Sequence, residues 1–303
     1  MGLADRDYER ARSARDGGMM ALRMVSFNTW IIVINAAVFL VMWLVPAAGQ
    51  KIFDFGHFST YMLIDRKEFW RVLTFQFIHA GLAHVFFNMF GLWVFGGMVE
   101  RYLGFKKYAA FYLVCGIFGA LSYLILNLGG YLAVKGFGIQ RLPFLLFENT
   151  ATPLVGASAG VFGVIVACAY IAPNAIVQLI FPPVALRMKL LSYGYVAIAA
   201  FNLLVGGSNA GGDAAHVGGA IAGFFFIRNS HLLLDFFDVF GNSSAGAKKP
   251  SNRAPGGGLF RSRTPSAAEV DRILNKVQEQ GLASLTDSER ETLRRASEAH
   301  RRP

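Results

Sequence analysis

The chain is poor in charge for its length: of 303 residues, 16% are charged and 54% are apolar, whereas soluble domains carry about 25% charged residues. That shortage excludes a water-soluble globular enzyme and points to a chain that crosses a membrane several times. Cysteine is scarce too. Cys115 and Cys168 each fall inside an apolar run, so they read as small packing residues and a disulfide framework is not indicated. No Cys or His set has metal-ligand spacing and no segment repeats, which leaves a metal centre and a solenoid without support. Carboxylates are missing from the interior of every apolar run.

What is present is six such runs, at 28–45, 82–99, 108–128, 154–172, 190–206 and 214–234. Each is near the roughly 20 residues that cross a hydrocarbon core of about 30 Å. The fourth and fifth are short, so their ends are the least defined. The first, followed by "VPAAGQ", is read as a retained span, because the charged stretch before it runs to Arg23 and is long for a signal peptide. The expected organisation is a basic cytosolic tail over 1–27, a six-span domain over 28–235, a flexible basic linker over 236–266, and a cytosolic helical hairpin and tail over 267–303. The hairpin rests on helical spacing at Val270, Ile273, Leu274 and Val277, on Gly281 as a stop, and on Thr286 and Glu289 as a capping box.

The net charge of +10 sits mostly in the two tails, which favours a positive cytoplasmic face over nucleic-acid binding. Arg6, Arg10, Arg12, Arg15 and Arg23, then Arg101, Lys106 and Lys107, then Arg187 and Lys189, and finally the basic tail, all fall on one side of the membrane. Both termini are therefore expected in the cytoplasm. Spans two, four and six then run from outside to inside.

Polar groups inside spans are costly and usually face the protein interior. Here they are His84, Asn88, Ser158 and His216, with Asn127 and Asn202 nearer span ends. His84 and Asn88, four residues apart, share one helix face. His84, Ser158 and His216 each lie near the outer start of a span, so the three are expected at one level, roughly 5 to 10 Å below the outer interface. Gly156, Gly160, Gly219 and Gly223 allow close helix packing around them. A serine hydroxyl needs a base to become a nucleophile, and His216 is the candidate for Ser158. The tetrahedral oxyanion needs donors, for which the backbone N–H of Ser158 and the side chains of His84 and Asn88 are placed. With no carboxylate inside a span to orient His216, a Ser-His dyad is expected; Asp213, three residues before His216, is the one alternative orienting group, and it is read in preference as the N-cap of span six.

Three pieces, "FWRVLTFQFIHAGLAHVFFN" at 69–88, "GASAGVFG" at 156–163 and "AHVGGAIAG" at 215–223, in this order on spans two, four and six, resemble the rhomboid family of intramembrane serine proteases. The resemblance covers about residues 28–235. It implies an all-α, six-span rhomboid-like bundle in which Ser158 is the nucleophile, His216 the general base, and His84 and Asn88 line the oxyanion hole. Trp70 and Arg71 match the family's Trp-Arg pair in the first outer loop, and His79 matches a second, structural histidine. His57, His231 and His300 match nothing catalytic. Ala159 stands where the family often has Gly. Phe162 replaces a Tyr that packs on the base histidine in some members.

The expected activity is endopeptidase cleavage of single-span membrane proteins near the outer end of their helix, in a bacterial plasma membrane, with the lipid bilayer as surroundings and without metal, ATP or nucleic acid. One alternative is a non-catalytic rhomboid-like protein that binds client helices, which predicts loss of the serine or histidine. A transporter predicts broken helices at mid-depth and more charge. An α/β hydrolase, suggested by the G-x-S-x-G at 156–160, would need strands that the sequence lacks.

Overall fold

The computed structural model describes residues 25–179, 183–233, 267–280 and 285–301, which form two separate units. The expected N-terminal tail up to residue 24, the linker over 236–266, and Gly281 as a helix stop lie outside these residues. In the first unit α1 (Phe27–Leu44) leads through a short α2 (Pro46–Gly56), α3 (Thr60–Ile64) and α4 (Arg71–Thr74) into α5 (Leu82–Leu103). Next come α6 (Phe105–Phe137), α7 (Ser158–Ile171), a hairpin of β1 (Ile176–Gln178) and β2 (Ala185–Arg187), α8 (Met188–Val205) and α9 (Ala210–Arg228). The second unit holds α10 (Ala267–Gln280) and α11 (Asp287–Arg301). The protein is an all-α, multi-pass membrane bundle.

Among the described residues, five helices are long and apolar enough to cross a membrane: α1, α5, α6, α8 and α9. The fourth apolar run behaves differently. Its helix α7 has 14 residues, about 21 Å at about 1.5 Å per residue, which is too short for a hydrocarbon core of about 30 Å. The run begins at 154, but its first residues are extended. Phe58 N donates to Leu154 O at 3.0 Å and Leu154 N to Phe58 O at 2.7 Å, an isolated antiparallel bridge. Gly156 N then donates to Phe75 O at 2.9 Å. Backbone outside a helix is tolerated at this depth only where protein groups satisfy it, as they do here. Ser158 thus starts a helix inside the bundle.

Small residues set the packing of α6, α7 and α9. Without a hydrophobic force between lipid-immersed helices, close van der Waals contact carries association. A Cβ added at Gly163 would lie 3.2 Å from Gly219 O, and one at Gly223 would lie 2.5 Å from Gly163 Cα. Gly119 of α6 has as little room, 2.4 Å from the Ala159 Cβ. The buried core around them includes Tyr108, Phe111, Tyr112, Cys115, Val164 and Cys168. Both cysteines are free and buried, as packing residues are.

Polar contacts close both ends. Glu100, near the end of α5, accepts from Phe27 N at 2.7 Å and Asn28 N at 3.0 Å, so it caps the first turn of α1. Asn28 donates to Leu92 O at 2.9 Å and accepts from Tyr108 Oη at 2.7 Å. Leu92 opens a π-helical turn, Leu92–Gly96, whose Phe95 O also accepts from Cys168 Sγ at 3.4 Å. Such turns disturb the carbonyl ladder, and these side chains supply donors to it. At the other end Arg71, 3% exposed, pairs with Glu68 and donates to His57 O and Asp54 O, both at 2.6 Å. Trp70 stacks on Phe55 and donates to its carbonyl at 3.1 Å.

In the second unit Glu289 N donates to Thr286 Oγ1 at 3.3 Å and Thr286 N to Glu289 Oε2 at 3.0 Å, which is a capping box. Lys276 of α10 donates to the same carboxylate at 2.8 Å and ties the two helices. Ile273 is buried, whereas Leu274 is half exposed and belongs to the outer face.

Candidate active site

Ser158 is the first residue of α7, and the loop before it is held by neighbours on both sides. Gly156 has φ +124°, a conformation that suits a residue without a Cβ. A Cβ there would lie 2.7 Å from His84 Cε1 and Nε2 and 3.7 Å from Ser158 Oγ. Gly156 therefore does not pack a helix, as its place beside the other glycines suggested. It lets the lead-in pass against the edge of the His84 ring. The next amide, Ala157 N, donates to His79 Nε2 at 3.4 Å, which gives His79 a bracing contact behind the serine. The other three glycines do pack helices: Gly160 faces the Tyr112 ring on α6, Gly219 faces the Ala159 carbonyl, and Gly223 faces Gly163.

His216 is the seventh residue of α9, two turns in rather than at its start, because the helix begins at Ala210. Its ring lies flat on Phe162, with centroids 4.2 Å apart and planes 5° apart. Phe162 is one turn after Ser158, so this stack fixes the imidazole against the serine's own helix. Asp213 is not the N-cap that its position three residues earlier implies. Asn209 occupies that place, and the amide of Asp213 already donates to Asn209 O at 2.9 Å. The carboxylate lies inside the helix, with Oδ1 3.3 Å from His216 Nδ1.

His84 and Asn88 sit one turn apart on α5. Asn88 is buried and its Nδ2 donates to His84 O at 2.9 Å, and its second N–H has no acceptor among the described residues. His84 meets His79 edge to face, with centroids 5.0 Å apart. His84, Asn88, Ser158 and His216 all line one cavity of about 1070 Å³. Ser158 Oγ makes no hydrogen bond among the described residues. Reactive groups are often loosely aligned before substrate binds. The same cavity is lined by Ser208, Asn209 and Gly212, by Phe86 and Phe90 of α5 and by Tyr195 of α8.

Two contacts escaped the sequence reading, the Glu100 cap and the Asn28–Tyr108 bond, and a third, the Asp213–His216 pair, was set below the N-cap reading. Only the acidic residue at the end of an apolar run gave a signal, and Glu100 and Asp213 both carry it.

Comparison with known proteins adds an independent line. The rhomboid domain family matches residues 66–229, and a family of unknown function, DUF6576, matches residues 261–299. Rhomboid protease GluP of Bacillus subtilis (strain 168) is 29% identical over 164 residues, covering 54% of this chain and 26% of that protein. RHOMBOID-like protein 6, mitochondrial, of Arabidopsis thaliana is 26% identical over 163 residues, 54% of this chain and 44% of its own. Rhomboid protease AarA of Providencia stuartii is 25% identical over 219 residues, 70% of this chain and 74% of its own. The chain thus spans less than half the length of the first two relatives. The rhomboid domain match takes in more than half of the chain, including the helices that line the cavity, and the protein belongs to the rhomboid family.

Proposed function

We infer that the protein is an intramembrane serine endopeptidase. Ser158 is the nucleophile and His216 its general base, a Ser-His pair. His84, the side chain of Asn88 and the backbone N–H of Ser158 stabilise the oxyanion. The observation that carries this reading is the convergence of these four side chains from α5, α7 and α9 on one cavity. A serine with no competing hydrogen bond, an imidazole stacked one turn away and an uncommitted amide N–H are the parts that acyl transfer requires.

The polar lining near Ser208 and Asn209 offers water a way to a site otherwise walled by apolar helices. The substrates are single-span membrane proteins, cut near the outer end of their helix; the Lys and Arg distribution supports a reading with this end of the bundle outside and both termini in the cytoplasm. A bacterial plasma membrane is the setting. GluP and AarA carry the name rhomboid protease, in keeping with this activity.

The test needs no substrate. Detergent-purified wild type, Ser158→Ala and His216→Ala are treated with a serine-reactive fluorophosphonate. Labelling of wild type alone is expected. Folded wild type that stays unlabelled across several probes and lipids would instead favour a non-catalytic protein that binds client helices.

A further inference from the structure

Asp213 is 5% exposed, and its Oδ2 has no hydrogen-bond partner among the described residues. Burying a carboxylate without partners is costly. Its place in the first turn of α9 supplies part of the compensation through the helix dipole. The other amides of that turn precede it, however, Ala210 N already donates to Gly207 O, and its own amide is bonded to Asn209 O. The neighbour it does meet is His216 Nδ1, at 3.3 Å.

His216 is thus held on two sides, by the Phe162 ring on one face and by Asp213 at Nδ1. A carboxylate accepts and does not donate, so Nδ1 must carry the proton in this contact. The lone pair of the neutral imidazole then resides on Nε2, the nitrogen left for Ser158.

We propose that Asp213 is a positioning residue that fixes the ring and tautomer of His216 and turns the Ser-His pair into a triad carried on two helices. This rests on the serine protease reading. As Ser158 Oγ bonds to the scissile carbonyl carbon, its proton passes to Nε2 and the carbonyl π electrons move to oxygen. When the oxyanion collapses, the C–N bond breaks and that proton goes to the departing nitrogen. Asp213 gains no proton. It holds the imidazolium between these transfers. The orienting group and the base lie on one helix turn, so the pair is set by α9 alone and only Ser158 must be delivered by α7.

The experiment uses full-length wild type, Asp213→Ala and Asp213→Asn in proteoliposomes. A fluorophosphonate titration separates the maximal labelling rate from the half-saturating concentration, and ¹⁵N NMR of histidine-labelled protein reads the ring tautomer. Asp213→Ala should lower the maximal rate about 10- to 100-fold, the worth of a hydrogen bond to a charged group. The half-saturating concentration should stay within about twofold, and the ring should become a tautomer mixture. Asp213→Asn keeps an acceptor at the same place and should recover part of the rate.

Wild-type labelling rate and tautomer in folded Asp213→Ala would overturn the proposal while leaving the protease reading intact. Equal losses of rate and of unfolding temperature in both variants would overturn it as well, by making Asp213 a packing residue. Failure of wild type itself to label would remove the protease reading, and this inference with it.

Discussion

Gly219→Ala tests whether the α7–α9 contact sets the site. A Cβ at Gly219 would lie 2.1 Å from the Ala159 carbonyl oxygen, 2.7 Å from its carbon and 2.9 Å from its Cα. All three are backbone atoms of α7, so no side-chain rotation relieves the clash. Ordinary contact begins near 3.4 Å, and α9 must therefore retreat by about 1 Å in a close-packed interior. Ala159 follows Ser158 directly, and Gly219 is one turn beyond His216, so the retreat parts the serine from the imidazole. Overpacking of this kind costs about 1–3 kcal/mol, and a misplacement of about 1 Å costs on the order of 100-fold in rate. Thermal unfolding and fluorophosphonate labelling, measured in the same micelles, should both fall. Gly194→Ala on α8 is the control, because its Cβ would meet nothing within 4 Å. The control should label normally and unfold at the wild-type temperature or slightly above it. A Gly219→Ala protein with wild-type unfolding and labelling would refute the packing argument.

Two further outcomes follow from local geometry. Gly156→Ala imposes a Cβ at φ +124° and 2.7 Å from the His84 ring; it should reduce labelling by on the order of 100-fold and cost about 1–3 kcal/mol from backbone strain, and unchanged labelling would show that the lead-in does not position His84. In the C-terminal hairpin, the Lys276 ammonium and then the Thr286 amide hold the Glu289 carboxyl down at about 2, from 4.5. A lowered folded value stabilises above the unfolded value, so the hairpin should lose amide protection as pH falls from 4.5 towards 2. In Glu289→Gln protein, exchange over 287–301, corrected for intrinsic rates, should be faster at neutral pH and lack that step; an identical pH profile would sink the assignment.

Helix existence was legible because transfer from water to lipid is additive along the chain. The run at 82–99 became α5 and that at 108–128 became the core of α6, with ends shifted by a few residues or a turn or more. The fourth run misled, because hydropathy registers residues 154–157 as apolar without registering that Leu154 pairs with Phe58 outside a helix. At the site, Ser158, His216, His84 and Asn88 stood out as polar residues where lipid is expected. Asp213 was misread because an acid just before an apolar run fits a helix cap. Only the true start of α9, at Ala210, moves it from the cap into the first turn and under the imidazole.

The sequence by itself determined that this is a multi-pass rhomboid chain, which polar residues stand within its apolar runs, and that small residues would bring helices close. Which neighbour each of those residues faces was decided by the tertiary structure alone. Gly160 turned to α6, Gly219 and Gly223 to α7, and Gly156 to the edge of His84. Hydropathy and periodicity are properties of one segment at a time, whereas the bridge before Ser158, the ring stack on Phe162 and the shared cavity join segments dozens of residues apart. Their formation depends on how tightly three glycine-lined helices can meet.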